Sequence, residues 1–197
     1  MNNHLRIYLA SASPRRQELL RQLGLEFDVL PANIPEVRAP GESPADYVMR
    51  VAGDKARWVA QRVKERGLPG YPVLGADTEV VLDGEILGKP ENPAHGREML
   101  RRLAGRTHEV LSGICVRDRD REHTALCTSR VGMRPLTEAE IAQYWETGEP
   151  QGKAGAYAIQ GRAAAFIANL EGSYSGVMGL PLHELDNILQ KIRKGAA

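Results

Sequence analysis

Residues 9–16 read Leu-Ala-Ser-Ala-Ser-Pro-Arg-Arg and connect a predicted strand to a predicted helix. The apolar run at 7–10 indicates the strand. Ser13 and Pro14 are typical of a helix start, because serine caps free N–H groups and proline has no N–H to leave unpaired. A helix N-terminus attracts anions, and one arginine side chain can hydrogen-bond two phosphate oxygens at once. The stretch alone therefore predicts either an anion site or an ordinary capped helix with solvated arginines.

The composition is that of a globular protein, with 197 residues, 42% apolar and 26% charged. This length suits one sizeable domain or two small lobes. A net charge of +1 provides no general basic field for nucleic acid, so basic residues are interpreted as parts of a site. No apolar run approaches membrane-spanning length, and Met1–His4 lacks a signal-peptide pattern, so we expect a cytoplasmic protein with no membrane partner. Cys115 and Cys127 lack disulfide-framework or zinc-site spacing and are predicted to be reduced thiols in strands.

A second helix is predicted from Pro44 to about Arg66, again after a Ser-Pro start. Its apolar stripe contains one cation, Lys55. This side chain either snorkels from the edge of the core or reaches into a cleft to meet a phosphate. Glu36 lies in the proline-rich loop before the helix, and by itself it is most simply a solvent-exposed glutamate.

A hairpin is predicted around Asp83-Gly84, a pair that favours a two-residue turn between strands. Its first strand contains Gly-Ala-Asp-Thr at 75–78. An aspartate in mid-strand is costly to bury without a cation, a metal or hydrogen-bond donors. Asp77 is therefore the strongest candidate for a metal ligand or general base, the alternative being a strand-end aspartate that faces water. Lys89 follows the second strand and can return to the same cleft.

Helices and strands alternate along the rest of the chain, and the central hairpin predicts a mixed α/β sheet and not a strictly doubly wound one. Gln160, in a glycine-rich turn region, carries an amide that can hydrogen-bond a base edge. The last helix has an apolar face that either packs inside the chain or forms a homodimer interface. The predicted helices are 93–104, about 137–147 and the segment after Pro181; the strands are 107–116, 123–133 and 163–170; a charged hairpin tip lies at 117–122 and a loop at 171–176.

The candidate residues together suit phosphate chemistry. Cations and helix N–H groups bind a polyphosphate, while carboxylates bind a divalent ion that neutralises charge and activates water. The absence of a Walker A sequence argues against a P-loop NTPase. The set comprises Ser11, Ser13, Arg15, Arg16, Glu36, Lys55, Asp77 and Lys89.

Several short blocks lie in a recognisable order over nearly the whole chain. The two that are most specific together are residues 9–16 and Leu-Gly-Ala-Asp-Thr at 74–78. The others are Ile34-Pro-Glu36, Lys55-Ala56, Gly88-Lys89-Pro90, Gly-Ala-Tyr-Ala-Ile-Gln-Gly at 155–161 and Gly179-Leu-Pro181. With these blocks the sequence resembles the Maf family of nucleotide pyrophosphatases.

The resemblance implies a single elongated α/β domain over residues 1–197, with two lobes around one central cleft, similar to inosine triphosphate pyrophosphatases. It also implies hydrolysis of a nucleoside triphosphate between the α- and β-phosphates, with Mg²⁺ or Mn²⁺ as cofactor. The family's general base corresponds to Asp77. Its phosphate and metal positions correspond to Ser11, Ser13, Arg15, Glu36, Lys55 and Lys89, with Glu36 and Asp77 as the expected metal ligands.

The resemblance also implies a substrate, because three further positions differ between branches of the family that act on different nucleotides. Members that act on dTTP and UTP carry arginine, threonine and glutamine where this chain has Arg16, Thr78 and Gln160. The 7-methyl-GTP branch has different residues in the strand and glycine blocks, so the resemblance favours dTTP and UTP. Two alternatives stay open: a pyrophosphatase for modified bases, and a non-catalytic nucleotide sensor that regulates cell division and septum formation.

One position departs from the family pattern. Glu79 stands where an apolar residue is expected. It either faces solvent or adds a carboxylate near the metal.

Overall fold

The computed structural model describes residues 5–195; the segment Met1–His4, with its lack of a signal-peptide pattern, lies outside this range. Two short 3-10 helices, Ala154–Ala156 and Arg162–Phe166, accompany the main elements. The strands are β1 (Arg6–Leu9), β2 (Glu26–Val29), β3 (Val73–Leu82), β4 (Glu85–Leu87), β5 (Thr107–Asp118), β6 (Arg121–Met133) and β7 (Ile167–Glu171); the helices are α1 (Pro14–Gln22), α2 (Pro44–Glu65), α3 (Pro93–Leu103), α4 (Glu138–Glu146), α5 (Tyr174–Met178) and α6 (Leu182–Gly195).

Within residues 5–195 the strands form one seven-stranded sheet in the order β2-β1-β3-β5-β6-β7, with β4 beside β3. β1 runs parallel to β2 and β3, whereas β3, β4, β5, β6 and β7 pair antiparallel. The predicted mixed α/β class is confirmed. The antiparallel part arises from tight turns such as Asp83-Gly84, where both residues adopt positive φ.

A gap along one edge of β3 decides where a ligand can enter. β1 pairs with β3 only at Val73 and Leu74, and β4 pairs with it only from Val80 to Leu82. Residues 75–79 therefore have a strand neighbour on the β5 side alone. The segment predicted to carry the key aspartate thus lines an opening in the sheet.

Helix α2 covers one face of the sheet opposite β3 and β5, and Gly75 allows its close approach. A Cβ at Gly75 would lie 2.1 Å from the backbone oxygen of Ala52, far inside van der Waals contact. The predicted stripe of α2 is buried, and it includes Lys55, which is only 6% exposed. The helix packing therefore holds a lysine against the gap in the sheet.

The C-terminal third of the chain differs from the predicted pattern. The predicted strand 163–170 begins with a 3-10 helix, so β7 covers only Ile167–Glu171. The predicted loop 171–176 leads into α5, whose start is capped by the Ser173 hydroxyl accepting from the Gly176 N–H. This helix is one short turn plus a residue, too short to show an apolar period in the sequence.

The structure also bears on the predictions for the charged hairpin tip, the two cysteines and the last helix. The charged hairpin tip shortens to Arg119-Asp120, because its flanking residues continue the β5–β6 ladder. Cys115 and Cys127 are free, buried and in strands. The apolar face of α6 packs into the chain's own core through Leu185, Ile188, Leu189 and Ile192. Over residues 5–195 there is no helix with the length and apolar character that a bilayer crossing requires.

Candidate active site

A cleft of about 510 Å³ opens at the gap in β3. Its walls come from the end of β1 and start of α1, the middle of β3, the loop before α2, and the segment 152–160. All ten site residues predicted from the sequence line this cleft: Ser11, Ser13, Arg15, Arg16, Glu36, Lys55, Asp77, Thr78, Lys89 and Gln160. Their juxtaposition is a result of the fold, because they come from six separate segments of the chain.

The floor of the cleft is an ion-paired triad centred on Lys55. Its Nζ lies 2.8 Å from Asp77 Oδ1 and 2.9 Å from Glu36 Oε1. Burial acts to raise the pKa of Glu36, but the hydrogen bond and charge of Lys55, with Lys89 and Arg16, hold this pKa below its ordinary value. Lys55 is thus compensated by two carboxylates, so its first task is to hold the acidic residues and not to provide a free charge for phosphate.

Two carboxylate oxygens in the cleft have no hydrogen-bond partner among residues 5–195: Asp77 Oδ2 and Glu79 Oε2. Asp77 lines the cleft and is only 5% exposed, so its unpartnered oxygen is shielded from bulk water. Burial, followed by the charge of Asp77, raises the pKa of Glu79 to about 8, with Lys89 opposing the shift. Glu79 therefore lines the cleft and does not face open solvent.

Arg16 and Thr78 contact one another directly. Arg16 Nη2 donates to Thr78 Oγ1 at 3.3 Å, and Arg16 Nε donates to the Gly179 carbonyl at 2.8 Å. Thr78 Oγ1 also lies 3.0 Å from Ser112 Oγ. Burial lowers the pKa of Arg16, Asp77 opposes this, and the described partners of its guanidinium are a carbonyl and hydroxyls. The guanidinium is oriented but not ion-paired within the described chain.

Residues 10–16, at the end of β1 and the start of α1, form one wall of the cleft. Ser13 caps α1 by accepting from the Arg16 N–H at 3.4 Å, and Ser11 Oγ accepts from the Ser13 N–H at 3.2 Å. Arg15 Nε donates to the Met178 carbonyl at 3.2 Å. The remaining N–H groups at the start of α1, together with Arg15 and Lys89, give this wall a positive potential.

Three residues of the site were not predicted from the sequence: Ser112, which contacts Thr78, and the cleft residues Tyr157 and Lys153. Ser112 donates to the Gly176 carbonyl at 2.7 Å and thereby fixes α5, whose end presents Met178 and Gly179 to the arginines. Tyr157 lines the cleft, and its hydroxyl lies 2.8 Å from Nε2 of the buried His108. Lys153 also lines the cleft. Its position within Gly-Lys-Ala-Gly, residues 152–155, is the feature of the sequence from which a site residue could have been predicted here.

The donor set fits a divalent cation that is completed by a phosphate ligand. Within residues 5–195, no three His, Cys, Asp or Glu side chains converge tightly enough to hold a metal alone. The free oxygens on Asp77 and Glu79 are nevertheless the hard donors that Mg²⁺ and Mn²⁺ prefer. Mg²⁺ in particular is commonly held by one or two carboxylates with substrate phosphates and water.

This chain is similar to known proteins over nearly its whole length. The dTTP/UTP pyrophosphatase of Methylococcus capsulatus is 53% identical over 193 residues, covering 98% of this chain and 94% of that protein. The dTTP/UTP pyrophosphatase of Alkalilimnicola ehrlichii is 54% identical over 188 residues, covering 94% and 92%. The solved structure of the Staphylococcus aureus Ham1 protein is 12% identical with a TM-score of 0.43, covering 98% of this chain and 100% of that one, a likeness too distant to carry an argument. A profile of the Maf-like protein family matches residues 6–192. The chain belongs to the Maf-like protein family.

Proposed function

We propose that this protein hydrolyses dTTP and UTP to the nucleoside monophosphate and pyrophosphate. The observation that carries the proposal is Asp77, a buried carboxylate with one oxygen on Lys55 and the other free in a cation-walled cleft. Support comes from relatives that are about half identical over nearly the whole chain and bear the name dTTP/UTP pyrophosphatase. The unmodified pyrimidine nucleotides are therefore the substrates to test first.

In this proposal the triphosphate lies against the start of α1. The free helix N–H groups, Arg15 and Lys89 bind its oxygens and stabilise the charge that develops on the leaving pyrophosphate. Ser11 and Ser13 shape this turn. The sequence predicts Asp77 and Glu36 as the residues that would hold Mg²⁺ or Mn²⁺, and the bound ion would supply charge neutralisation and polarise water.

Asp77 accepts the proton of the attacking water. Its Oδ1 is held by Lys55, which fixes the orientation of the carboxylate, while Oδ2 has no partner within residues 5–195 and keeps its lone pairs for the attacking water and for a cation. Attack at the α-phosphorus expels pyrophosphate and leaves the new oxygen on the monophosphate. Arg16, Thr78 and Gln160 contact the base end of the nucleotide, with the first two already pre-oriented by their mutual hydrogen bond.

The test is a panel of nucleoside triphosphates with MgCl₂ or MnCl₂, followed by quantification of monophosphate and pyrophosphate. The panel holds dTTP, UTP, GTP, 7-methyl-GTP and a modified pyrimidine nucleotide. In H₂¹⁸O the label should enter dTMP or UMP, because water attacks the α-phosphorus. Label in pyrophosphate would contradict the assigned point of attack.

The same panel separates the alternative functions. A non-catalytic sensor of cell division would bind nucleotide without releasing pyrophosphate from any member of the panel. A pyrophosphatase for modified bases would prefer the modified nucleotide to dTTP and UTP. The free carboxylate oxygens beside cationic groups favour catalysis, because a sensor has no need for a base that activates water.

A further inference from the structure

We infer that Glu79, together with Asp77, holds the divalent cation of this cleft, an inference that rests on the proposed function. Glu79, and not Glu36 as predicted from the sequence, is then the second metal ligand. The cation has Asp77 Oδ2 and Glu79 Oε2 as protein ligands and substrate phosphate oxygens as the others.

Strand geometry places the two carboxylates on the same side of the sheet. Asp77 and Glu79 are two residues apart in β3, and alternate residues of a strand point to the same face. Their partners across the ladder, Gly113 and Leu111, confirm that the register is continuous here. Both side chains line the cleft at the open edge of β3.

Both carboxylates also present an oxygen that nothing in residues 5–195 satisfies. Asp77 Oδ2 and Glu79 Oε2 are each buried and without a hydrogen-bond donor. A buried carboxylate oxygen without a partner is costly, and two on one strand face also repel each other. A divalent cation that both oxygens bind removes the two penalties together.

The ammonium group of Lys55 prevents Asp77 and Glu36 from binding a metal ion between them. Lys55 Nζ lies between these carboxylates, 2.8 Å from one and 2.9 Å from the other. A metal ion placed there would meet the ammonium group at close range in a poorly solvated site, where like charges repel strongly. The site away from Lys55, on the Glu79 side of Asp77, has free oxygens and no ammonium contact in the described chain.

The decisive experiment measures metal binding without turnover. Mn²⁺ is titrated into the wild-type protein and Glu79→Gln in the presence of α,β-methylene-dUTP, and free Mn²⁺ is quantified by electron paramagnetic resonance. Loss of one carboxylate ligand should weaken Mn²⁺ binding by about tenfold or more. Glu109→Gln, an exposed strand glutamate outside the cleft, is the matched control and should leave the affinity unchanged.

A second series uses imidodiphosphate in place of the nucleotide, so that the outcome does not depend on which base the protein accepts. Thermal unfolding is recorded with and without Mn²⁺. The metal-free Glu79→Gln protein should melt no lower than wild type, because burial and the neighbouring Asp77 already disfavour an ionised Glu79 and the neutral amide carries no such cost, while the rise in Tm caused by Mn²⁺ should shrink. Glu79→Met repeats the test with a side chain that cannot bind the ion.

The results distinguish this inference from the proposed function. Unchanged Mn²⁺ affinity in Glu79→Gln and Glu79→Met, with weakened affinity in Glu36→Gln, would overturn the Glu79 assignment and leave hydrolysis untouched. Glu79-dependent Mn²⁺ binding to a protein that hydrolyses neither dTTP nor UTP would overturn the proposed substrates and support the metal site.

Discussion

Lys55 Nζ and Asp77 Oδ1 lie 2.8 Å apart in a site where both side chains are almost fully shielded from water. The contact joins a helix to a strand across 22 positions of sequence. Through this contact Lys55, on the otherwise apolar stripe of α2, neutralises the charge of Asp77, the candidate general base. The stability and the activity of the protein should therefore both depend on this pair.

Replacement of Lys55 by Met should lower the free energy of unfolding by about 3 kcal/mol, because it leaves the buried Asp77 without its cation. Urea denaturation measures the change. In Lys55→Met/Asp77→Asn the uncompensated charge is gone, so part of the lost stability should return. Lys64→Met, at an exposed position of the same helix, is the control and should be nearly neutral. Equal stability of Lys55→Met and wild type would contradict a structural role for the ion pair.

Replacement of Asp77 by Asn should reduce kcat for dTTP by about 10²- to 10⁴-fold, the range expected when a general base is lost. Asn keeps the size of the side chain and leaves the backbone of β3 unchanged. Circular dichroism should match wild type, and binding of α,β-methylene-dUTP in the absence of metal should persist. Near-normal turnover by this variant would show that Asp77 is not the base.

Replacement of Gln160 by Ala should change the ratio of kcat/KM for dTTP to that for GTP, while thermal stability stays the same. Gln160 is exposed and lines the cleft, so its loss creates no cavity in the core. A site that hydrogen-bonds a base discriminates strongly, and we expect a change of about tenfold or more. Gln61→Ala, an exposed glutamine on α2, is the control. A ratio that does not move would remove Gln160 from base selection.

Stability should fall on acidification because of His108. Burial lowers the pKa of His108 to about 4 in the folded protein, against an ordinary value of 6.5 in the unfolded chain. Between these values the unfolded chain binds more protons, so the contribution is complete above about pH 6.5 and is lost as the pH falls towards 4. His108→Gln should flatten this part of the profile, measured by urea denaturation from pH 4 to 7. The same slope in both proteins would assign it to other groups.

Much of the local structure could be predicted from the sequence, because it depends on neighbouring residues. Ser13, Ser43 and Asn92 each precede a proline and each caps a helix, as their patterns indicate. The Asp83-Gly84 turn fixes the register of its hairpin in the same way. Short elements such as α5 could not be predicted in this way, since five residues are too few to show the apolar period of a helix.

The sequence by itself determined which chemical groups the cleft would contain, because residue types and short motifs are properties of the chain. Only the tertiary structure decided how those groups divide the work. Lys55 is neutralised by Asp77 and Glu36, Arg16 is oriented by Thr78, and Glu79 faces the cleft. The physical reason is that charge compensation and desolvation depend on distances through space. These distances arise from where β1 ends, where β4 begins and how closely α2 packs at Gly75.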